Sequence, residues 1–261
     1  MLSEAAFSDR RYLYCEEMSK LGIKNGFTFR LGGVSRGKVE GFNFGFRVGD
    51  ERKNVLENYR LLAQDLQLEF SSITAPKQMH TANIKTVTSK DRGRGVTVDN
   101  DIYNTDGLIT CERDLPLMVF SADCYPVLLA DKEKRAVAAV HSGWRGTLSE
   151  ISKKAVLMME KEFGIKPQDI IAAVGPGIGS CCFETESDVA SKFELCFVKE
   201  KGRGKYLIDL PSVIKKSLLD AGLNEQDIFL SGRCTMCESD KFYSYRVHKD
   251  KTGRMGAVIS L

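Results

Sequence analysis

Hydrophobic positions along the chain fall into short continuous runs and into longer stretches where they recur every three or four residues. The continuous runs predict buried strands, and the longer periodic stretches predict helices. Predicted helices cover 52–66, 148–163, 186–193 and 211–221. Predicted strands cover 26–31, 84–87, 107–110, 117–121, 170–174 and 255–261, together with a hairpin built from 127–130 and 136–140. Successive strands with helices between only some of them favour an α+β (mixed α/β) fold with mixed β-sheets flanked by helices.

The predicted hairpin brings two chemically interesting side chains together. A polar segment, 131–135, joins its two apolar runs. If the turn is centred between Lys132 and Glu133, paired residues have numbers that sum to 265, and Cys124 then faces His141. Facing Cβ atoms lie about 4.5–5.5 Å apart, close enough to share one ion. A register slip of one residue would place the two side chains on opposite faces of the hairpin.

His80, Cys124 and His141 form a candidate zinc site. Two imidazoles and one thiolate suit zinc, and three protein ligands leave the fourth position for a water. His80 is distant in sequence, but it lies in a loop after Pro76, where binding groups tend to collect. The alternative stays open, because a free cysteine is often a small buried hydrophobic residue and a histidine near a strand end is often a structural hydrogen-bonding group.

Two glycine-containing loops are candidate ligand contacts. Segment 142–146 (Ser-Gly-Trp-Arg-Gly) lies between the second hairpin strand and a predicted helix, where Ser142, Arg145 and helix-start N–H groups could hold an anion. A tight strand-to-helix turn with Trp144 in the core is the alternative that this pattern favours. For segment 175–179 (Gly-Pro-Gly-Ile-Gly), the pattern likewise favours a turn over a ligand-binding loop.

The eight cysteines are interpreted as reduced thiols, because the chain is long and its N-terminus lacks a secretory signal pattern. Cys234 and Cys237 have the CxxC spacing of half a zinc ribbon or of a redox pair. Since no second CxxC accompanies them, we interpret this pair as structural. Cys181 and Cys182 are adjacent, a spacing that predicts neither an ordinary disulfide nor one shared metal.

Composition describes a globular chain, with 43% hydrophobic and 28% charged residues. The sequence contains no repeat and no linker, so we predict one domain over residues 1–261. No apolar stretch approaches the roughly 20 residues that a membrane span requires, so we also predict that the protein lies in the cytoplasm and does not bind membranes. The near balance of 38 basic and 35 acidic residues gives no general attraction to nucleic acid. No GxGxxG or GxxxxGK[ST] motif supports dinucleotide or P-loop binding.

Several motifs follow one another along the chain. They are Leu31-Gly-Gly-Val-Ser35, Lys77-Gln-Met-His80, Thr105-Asp-Gly-Leu108, Ser121-Ala-Asp-Cys124, His141-Ser-Gly-Trp-Arg-Gly146, Gly175-Pro-Gly-Ile-Gly179 and Phe242-Tyr-Ser-Tyr-Arg246 with Thr252-Gly-Arg254. Together they resemble the motifs of the YfiH-like family, formerly described as multicopper polyphenol oxidases or laccase-domain proteins. The resemblance runs from about Gly26 to the C-terminus. It implies a fold similar to the catalytic domain of cytotoxic necrotizing factor, a cysteine hydrolase.

This resemblance implies zinc-dependent purine nucleoside chemistry: phosphorolysis of adenosine, inosine, guanosine and methylthioadenosine, with additional deamination of adenosine. His80, Cys124 and His141 match the family's metal-binding and catalytic positions. Three histidines are too few for the copper centres of a multicopper oxidase. A single copper ion in place of zinc stays open.

Phosphorolysis requires donors for phosphate, and Arg145, Arg246 and Arg254 are the candidates. Deamination requires a proton shuttle as well as a water whose pKa zinc lowers toward about 7. Asp123 is the nearest candidate in sequence, although strand alternation would point it away from Cys124.

Two rival functions belong to other classes. A cysteine-dependent amidohydrolase, or peptidoglycan-precursor editing hydrolase, would use Cys124 as nucleophile and His141 as base. A noncatalytic zinc-binding or partner-binding module would hold metal and turn over no nucleoside.

Overall fold

The computed structural model describes residues 2–261, which form fourteen strands in three sheets. The strands are β1 (Ser3–Phe7), β2 (Arg10–Tyr14), β3 (Lys24–Thr28), β4 (Ile84–Thr86), β5 (Gly107–Thr110), β6 (Leu117–Ser121), β7 (Tyr125–Asp131), β8 (Val137–Ser142), β9 (Ile170–Val174), β10 (Glu184–Glu186), β11 (Val198–Gly202), β12 (Lys205–Ile208), β13 (Ile228–Leu230) and β14 (Met255–Ser260).

The same residues form seven α-helices: α1 (Glu16–Lys20), α2 (Arg52–Asp65), α3 (Trp144–Leu148), α4 (Ile151–Phe163), α5 (Ser187–Ala190), α6 (Leu210–Asp220) and α7 (Tyr245–His248). Short 3₁₀ helices cover Gly37–Val39, Phe70–Ser72, Ser89–Asp91, Pro167–Asp169, Leu195–Phe197, Glu225–Asp227 and Lys249–Lys251. Within 2–261, no helix has both the length and the apolar character that a membrane crossing requires.

The first large sheet is antiparallel throughout, in the order β1-β2-β3-β14-β6. The second has the order β13-β9-β7-β8-β5-β4 and is mixed, because its two edge pairs, β13 with β9 and β4 with β5, are parallel. A third sheet, β10-β12-β11, is small and antiparallel, and Ile208 of β12 packs in the same apolar cluster as β7 of the six-stranded sheet. The predicted mixed α/β architecture is confirmed.

The core consists of layers on both sides of each large sheet. One apolar cluster joins the two sheets and includes Leu108, Leu128 and Val119. A second contains alternate β7 residues such as Val127 together with residues of α4 and α6, and a third packs α2 against the outer face of the first sheet. Strands β7, β8 and β9 are therefore buried on both faces, which explains why they appear as uninterrupted apolar runs in the sequence.

Two of the predicted helices differ from the observed ones. The predicted helix 148–163 begins three residues later, as α4 at Ile151, because Glu150 adopts a left-handed conformation with φ of 54°. Leu148 instead ends the separate short helix α3. The predicted helix 186–193 shortens to α5, because Glu186 ends strand β10 and residues 191–193 form a turn and a bend.

The predicted hairpin exists, but its predicted register is wrong. Pro126 pairs with His141 and Val127 with Val140, so paired numbers sum to 267 and the turn is centred one residue later than predicted. The buried Asp131 carboxylate accepts hydrogen bonds from the backbone N–H and guanidinium of Arg135, and these bonds hold the turn. Cys124 lies just before β7 and is not directly opposite His141. Because the predicted and observed sums of paired residue numbers differ by two, the side chains of Cys124 and His141 still lie on the same face of the hairpin.

Replacing Asp131 by alanine is expected to lower the free energy of unfolding by about 1–3 kcal/mol, because a buried acceptor and its three hydrogen bonds are lost. Urea denaturation measures this change. Glu133→Ala is the matched control, since Glu133 contacts the same guanidinium but its side chain is 70% exposed. Exposed ion pairs contribute about 1 kcal/mol or less. Equal losses in the two variants would contradict the explanation.

Candidate metal centre and its pocket

One end of the six-stranded sheet carries the candidate ligands. Strand β8 ends there, with His141 as its penultimate residue, and the antiparallel neighbours β7 and β5 begin there. Cys124 directly precedes β7, and Asp106 directly precedes β5. His80 lies in the loop before β4, which is parallel to β5 and also begins at this end. The topology thus gathers residues that are up to 61 positions apart, from His80 to His141.

The predicted triad of His80, Cys124 and His141 is brought together. Their potential ligand atoms all lie within 4.8 Å of one another, and the two imidazole rings are nearly perpendicular, with centroids 4.9 Å apart. His141 is buried, Cys124 is half-buried and His80 is exposed, so the cluster opens to solvent on the His80 side. The three side chains form a candidate metal-binding site.

Gly143 keeps the space between the ligands open. A Cβ atom at this position would lie 3.1 Å from the Sγ of Cys124 and 3.1 Å from the Cδ2 of His80. Continuing the observed register by one residue places Gly143 opposite Cys124. The absence of a side chain there leaves room for the ligand atoms to converge on one ion.

Asp106 is hydrogen-bonded to both histidines and was not predicted from the sequence as a site residue. Its Oδ1 accepts a hydrogen bond from the Nδ1 of His141 at 2.8 Å and another from the backbone N–H of His80 at 3.0 Å. Its Oδ2 accepts from the backbone N–H groups of Met79 and Thr81 and from the Thr81 hydroxyl. With its Nδ1 engaged, His141 directs Nε2 toward the other ligands, as is usual for a metal-binding histidine supported by a carboxylate.

The signal that could have identified Asp106 is its place in the motif Thr105-Asp-Gly-Leu108, an acidic residue directly before a fully buried strand. The side chain is fully buried, and a buried carboxylate requires partners. Which donors would satisfy it could not be deduced from sequence, because they come from a loop 25–27 residues earlier and from another strand.

The pKa values of Cys124, His141 and Asp106 depend on one another. Burial by itself raises the pKa of Cys124, but the charge of His141 and hydrogen bonds from both histidines lower it to about 6. Burial by itself lowers the pKa of His141, but the Cys124 thiolate and Asp106 raise it to about 9. Burial also opposes ionisation of Asp106, and its hydrogen bonds with His141 and Thr81 lower its pKa to about 2. Without metal, Cys124 and His141 therefore form a thiolate–imidazolium pair, and a metal ion would replace the His141 proton.

A cavity of about 680 Å³ opens beside the triad. Small-molecule sites commonly have volumes of about 300–1,000 Å³. Aromatic side chains line much of this cavity, namely Phe44, Phe46, Phe120, Trp144, Phe183 and Tyr245. Its charged lining is predominantly basic, with Arg47, Arg52, Lys77, Arg246 and Arg254 against Asp99 and Asp123. Arg47, Arg52 and Lys77 were not predicted as ligand contacts, although Lys77 begins the motif Lys77-Gln-Met-His80.

Two of the predicted substrate contacts, Arg246 and Arg254, do line the cavity. Arg246 donates from its guanidinium to the backbone carbonyl of Glu184 at 3.0 Å. Arg254 donates to the carbonyls of Thr252 and Gly253, and burial lowers its pKa. Neither arginine forms a salt bridge with a carboxylate among residues 2–261. Their charge therefore remains available to an anionic ligand.

The other two predicted contacts, Arg145 and Ser142, are not among the residues that line the cavity. Arg145 is exposed, with its guanidinium 4.2 Å from the ring centroid of Trp144. Ser142 follows His141 along β8, so strand alternation points it to the opposite face, where its hydroxyl is 2.8 Å from that of Thr147. These are packing and hydrogen-bonding contacts, and a role of the two residues in ligand binding stays a prediction.

Asp123 lines the cavity with φ of +83°, and both of its carboxylate oxygens are hydrogen-bonded. One accepts from the hydroxyl of Thr235 at 2.7 Å and the other from the backbone N–H of Arg246 at 2.6 Å. These bonds tie the loop before β7 to two distant segments. Its role as a proton shuttle stays a prediction.

Comparison with known proteins reveals close relatives. The purine nucleoside phosphorylase YlmD of Geobacillus stearothermophilus is 34% identical over 258 residues, which cover 96% of this chain and 94% of the relative. A purine nucleoside phosphorylase of Deinococcus radiodurans is 36% identical, with coverage of 92% and 90%.

The likeness extends to three-dimensional structure. The crystal structure of the hypothetical protein YfiH from Bacillus licheniformis matches with a TM-score of 0.93 and 32% identity, covering 99% of this chain and 98% of that one. The family model described as multi-copper polyphenol oxidoreductase laccase matches residues 24–261. The resemblance expected from the motifs is confirmed, and the chain belongs to this laccase-like family of YfiH and YlmD.

Proposed function

We propose that this protein is a zinc-dependent purine nucleoside phosphorylase that acts on adenosine, inosine, guanosine and methylthioadenosine. The observation that carries the proposal is the opening of the His80, Cys124 and His141 cluster onto a cavity with aromatic walls and a predominantly basic lining. Relatives that match nearly the whole chain are named purine nucleoside phosphorylases, which supports the same reaction class.

The lining of the cavity suits both substrates. A purine is a flat aromatic ring system, and rings such as Phe120, Phe183 and Tyr245 offer faces and edges against which it can pack. Phosphate is an anion, and Arg246 and Arg254 offer charge-assisted donors that form no salt bridge among residues 2–261. Held together, the two substrates would let a phosphate oxygen approach C1′ of the ribose as the purine leaves.

Zinc is the metal that fits the donor set best. Two imidazoles and one thiolate are common zinc ligands, and three protein ligands are typical of catalytic sites. When bound, zinc supplies a Lewis acid and an acidified water. Around it, Asp106 orients His141 and fixes the backbone at His80. Copper also binds such a set, so metal analysis must accompany the assays.

Multicopper oxidation does not fit the described residues. The third histidine, His248, lies in α7 with its Nδ1 3.2 Å from the backbone carbonyl of Ser244, and it does not belong to the candidate cluster. The cluster therefore offers two imidazoles, far fewer than a blue copper centre with a trinuclear cluster requires.

Deamination of adenosine is the additional activity that we propose at the same centre. It would replace the C6 amino group by an oxygen derived from water, a reaction for which an acidified water is suited. Asp123 is the proposed proton shuttle from sequence, yet its carboxylate is engaged by Thr235 and Arg246. These contacts position the carboxylate, and proton transfer by Asp123 remains part of the proposal.

Inosine with and without phosphate tests the proposed phosphorolysis, because inosine lacks the amino group that deamination removes. Metal-analysed protein should form hypoxanthine and ribose 1-phosphate only when phosphate is present. In a parallel incubation, adenosine without phosphate should yield inosine. Chromatography identifies all these products. Formation of free ribose at the same rate with and without phosphate would point to a hydrolase instead.

Arg246→Ala is expected to lower kcat/KM for phosphate by about 10- to 100-fold, the range for losing a hydrogen bond to a charged group. Arg145→Ala is the matched control, because Arg145 is exposed and does not line the cavity. Initial rates at varied phosphate concentration measure both variants. A loss in Arg145→Ala as large as that in Arg246→Ala would contradict the assignment of Arg246.

A cysteine-dependent amidohydrolase is the second candidate, favoured by one observation. The lowered pKa of Cys124 and its pairing with His141 are what an activated thiol nucleophile requires. A peptidoglycan-precursor analogue bearing an electrophilic carbonyl would then form a covalent adduct with metal-free protein, visible by mass spectrometry at Cys124. Phosphate-dependent nucleoside cleavage with no such adduct would favour the phosphorylase.

A further inference from the structure

Four cysteines whose spacing in the sequence indicates two unrelated pairs lie in one cluster. Strands β9 and β13 are parallel neighbours, so the segments that follow them leave the same end of the sheet. The segment after β9 carries Cys181 and Cys182, and the segment after β13 carries Cys234 and Cys237. The adjacent pair was expected to be unsuited to a shared metal, but the structure places all four Sγ atoms within 4.8 Å of one another.

The local backbone explains how adjacent cysteines reach a common point. Residues 180–182 form a turn in which the N–H of Cys182 donates to the carbonyl of Gly179. A backbone bridge between Gly177 and Cys234 then joins the two segments. The Sγ of Cys237 lies 3.6 Å from that of Cys181 and 3.4 Å from that of Cys182.

These distances match a tetrahedral thiolate site. Four sulfurs at about 2.3 Å from zinc lie about 3.8 Å from one another. The backbone N–H of Gly179 donates to the Sγ of Cys234 at 3.2 Å, a contact that favours the charged thiolate at that position. Tetrahedral sulfur ligation is typical of zinc, and soft thiolate ligands select it over magnesium or calcium.

We propose that Cys181, Cys182, Cys234 and Cys237 bind one zinc ion in a structural site distinct from the His80, Cys124 and His141 centre. Four protein ligands fill the tetrahedral shell, which leaves no open position for substrate and makes this a structural site. Thiols that are protonated before binding release their protons to solvent as the ion binds. The inference does not depend on the proposed nucleoside chemistry.

The site would act as a clamp on the wall of the cavity. Thr235, next to Cys234, donates its hydroxyl to Asp123 and its backbone N–H to the carbonyl of Gly177. Ile178 and Phe183, on either side of the cysteine pair, both line the cavity. Joining the two segments through one ion therefore holds this wall against the loop that carries Cys124.

Metal analysis of a variant that lacks the first site tests the inference directly. His80→Ala/Cys124→Ala protein should retain one zinc per chain, and X-ray absorption should show a shell of sulfur only, at about 2.3 Å. Wild-type protein should contain two zinc ions per chain. No zinc in the double variant, a different metal there, or nitrogen in its shell would overturn the proposal.

Thiol accessibility provides a second test that requires no variant. In wild-type protein the four cluster cysteines should resist alkylation until a chelator is added, whereas the exposed Cys111 and Cys196 should react at once. Peptide mass spectrometry distinguishes these sites. Immediate alkylation of Cys181 and Cys237, or a mass deficit showing disulfides among the four, would overturn the proposal.

Cys237→Ser should lose one zinc per chain and melt at a lower temperature than wild type. Cys196→Ser is its matched control, since Cys196 is an exposed cysteine outside both clusters, and it should keep two zinc ions and the wild-type melting temperature. Equal zinc content in the two variants would count against the site. Both readouts are independent of nucleoside turnover.

Discussion

Replacing Cys124 by alanine is expected to remove the metal of the His80, Cys124 and His141 centre and to lower kcat/KM for inosine phosphorolysis by at least about 100-fold. Losing one group that stabilises charge in a transition state costs about 10²–10³-fold, and here the loss of one ligand removes the ion as well. The thiolate is the anionic member of the triad, and His141 owes part of its raised pKa to it. Metal analysis and initial rates measure the two effects.

Cys111→Ala is the control for this variant, because Cys111 is an exposed cysteine outside both clusters. It should keep wild-type metal content and rate. If Cys124→Ala kept as much zinc per chain as wild type, together with its phosphorolysis, Cys124 would not be a ligand. If it lost one zinc ion per chain and kept phosphorolysis, this centre would hold metal without catalysing the reaction.

Asp106→Asn is expected to weaken metal binding by about 10- to 100-fold, the usual effect of removing a carboxylate that supports a histidine ligand. The Asp106 carboxylate accepts five hydrogen bonds, and an asparagine amide would direct its NH₂ group toward donors on one side. Either the ring of His141 or the loop that carries His80 would then lose its support. A competition titration with a chelator of known zinc affinity measures the change.

The control for Asp106→Asn is Asp99→Asn, which alters an aspartate of the cavity lining outside the triad and its hydrogen-bond network. Its zinc affinity should equal that of wild type. Equal affinity in Asp106→Asn would mean that the carboxylate does not orient the ligands. Thermal unfolding of the metal-free proteins separates a general loss of stability from weaker metal binding.

Much of the fold could be predicted from the sequence because it follows from local patterns. Strands β5, β6 and β9 have the predicted bounds, since each is a short apolar run between polar segments. The hairpin register could not be predicted from the apolar runs alone, because it depends on how the buried Asp131 and Arg135 close the turn. The prediction that Cys124 and His141 share a face of the hairpin is nevertheless confirmed. Side chains alternate between the two faces every residue, so an error of two in the sum of paired residue numbers does not change the face.

Part of the candidate site could be predicted, namely the residues that can be recognised individually from their side-chain chemistry. Cys124, His141 and His80 have side chains with distinctive chemistry, so they could be recognised one by one. Asp106 and the four-cysteine cluster depend on which strands become neighbours, and neither the β9–β13 pairing nor the loop around Asp106 is encoded in a local pattern. The single-domain organisation over residues 1–261 stays a prediction.

The most direct test of the account is the phosphate-dependent formation of ribose 1-phosphate from inosine by metal-analysed protein, before zinc is removed, after removal, and after its return. A zinc-dependent phosphorylase should lose its rate when zinc is removed, regain it when zinc is returned, and form no ribose 1-phosphate when phosphate is omitted. An undiminished rate in zinc-free protein, or no product from fully zinc-loaded protein, would contradict the proposed function.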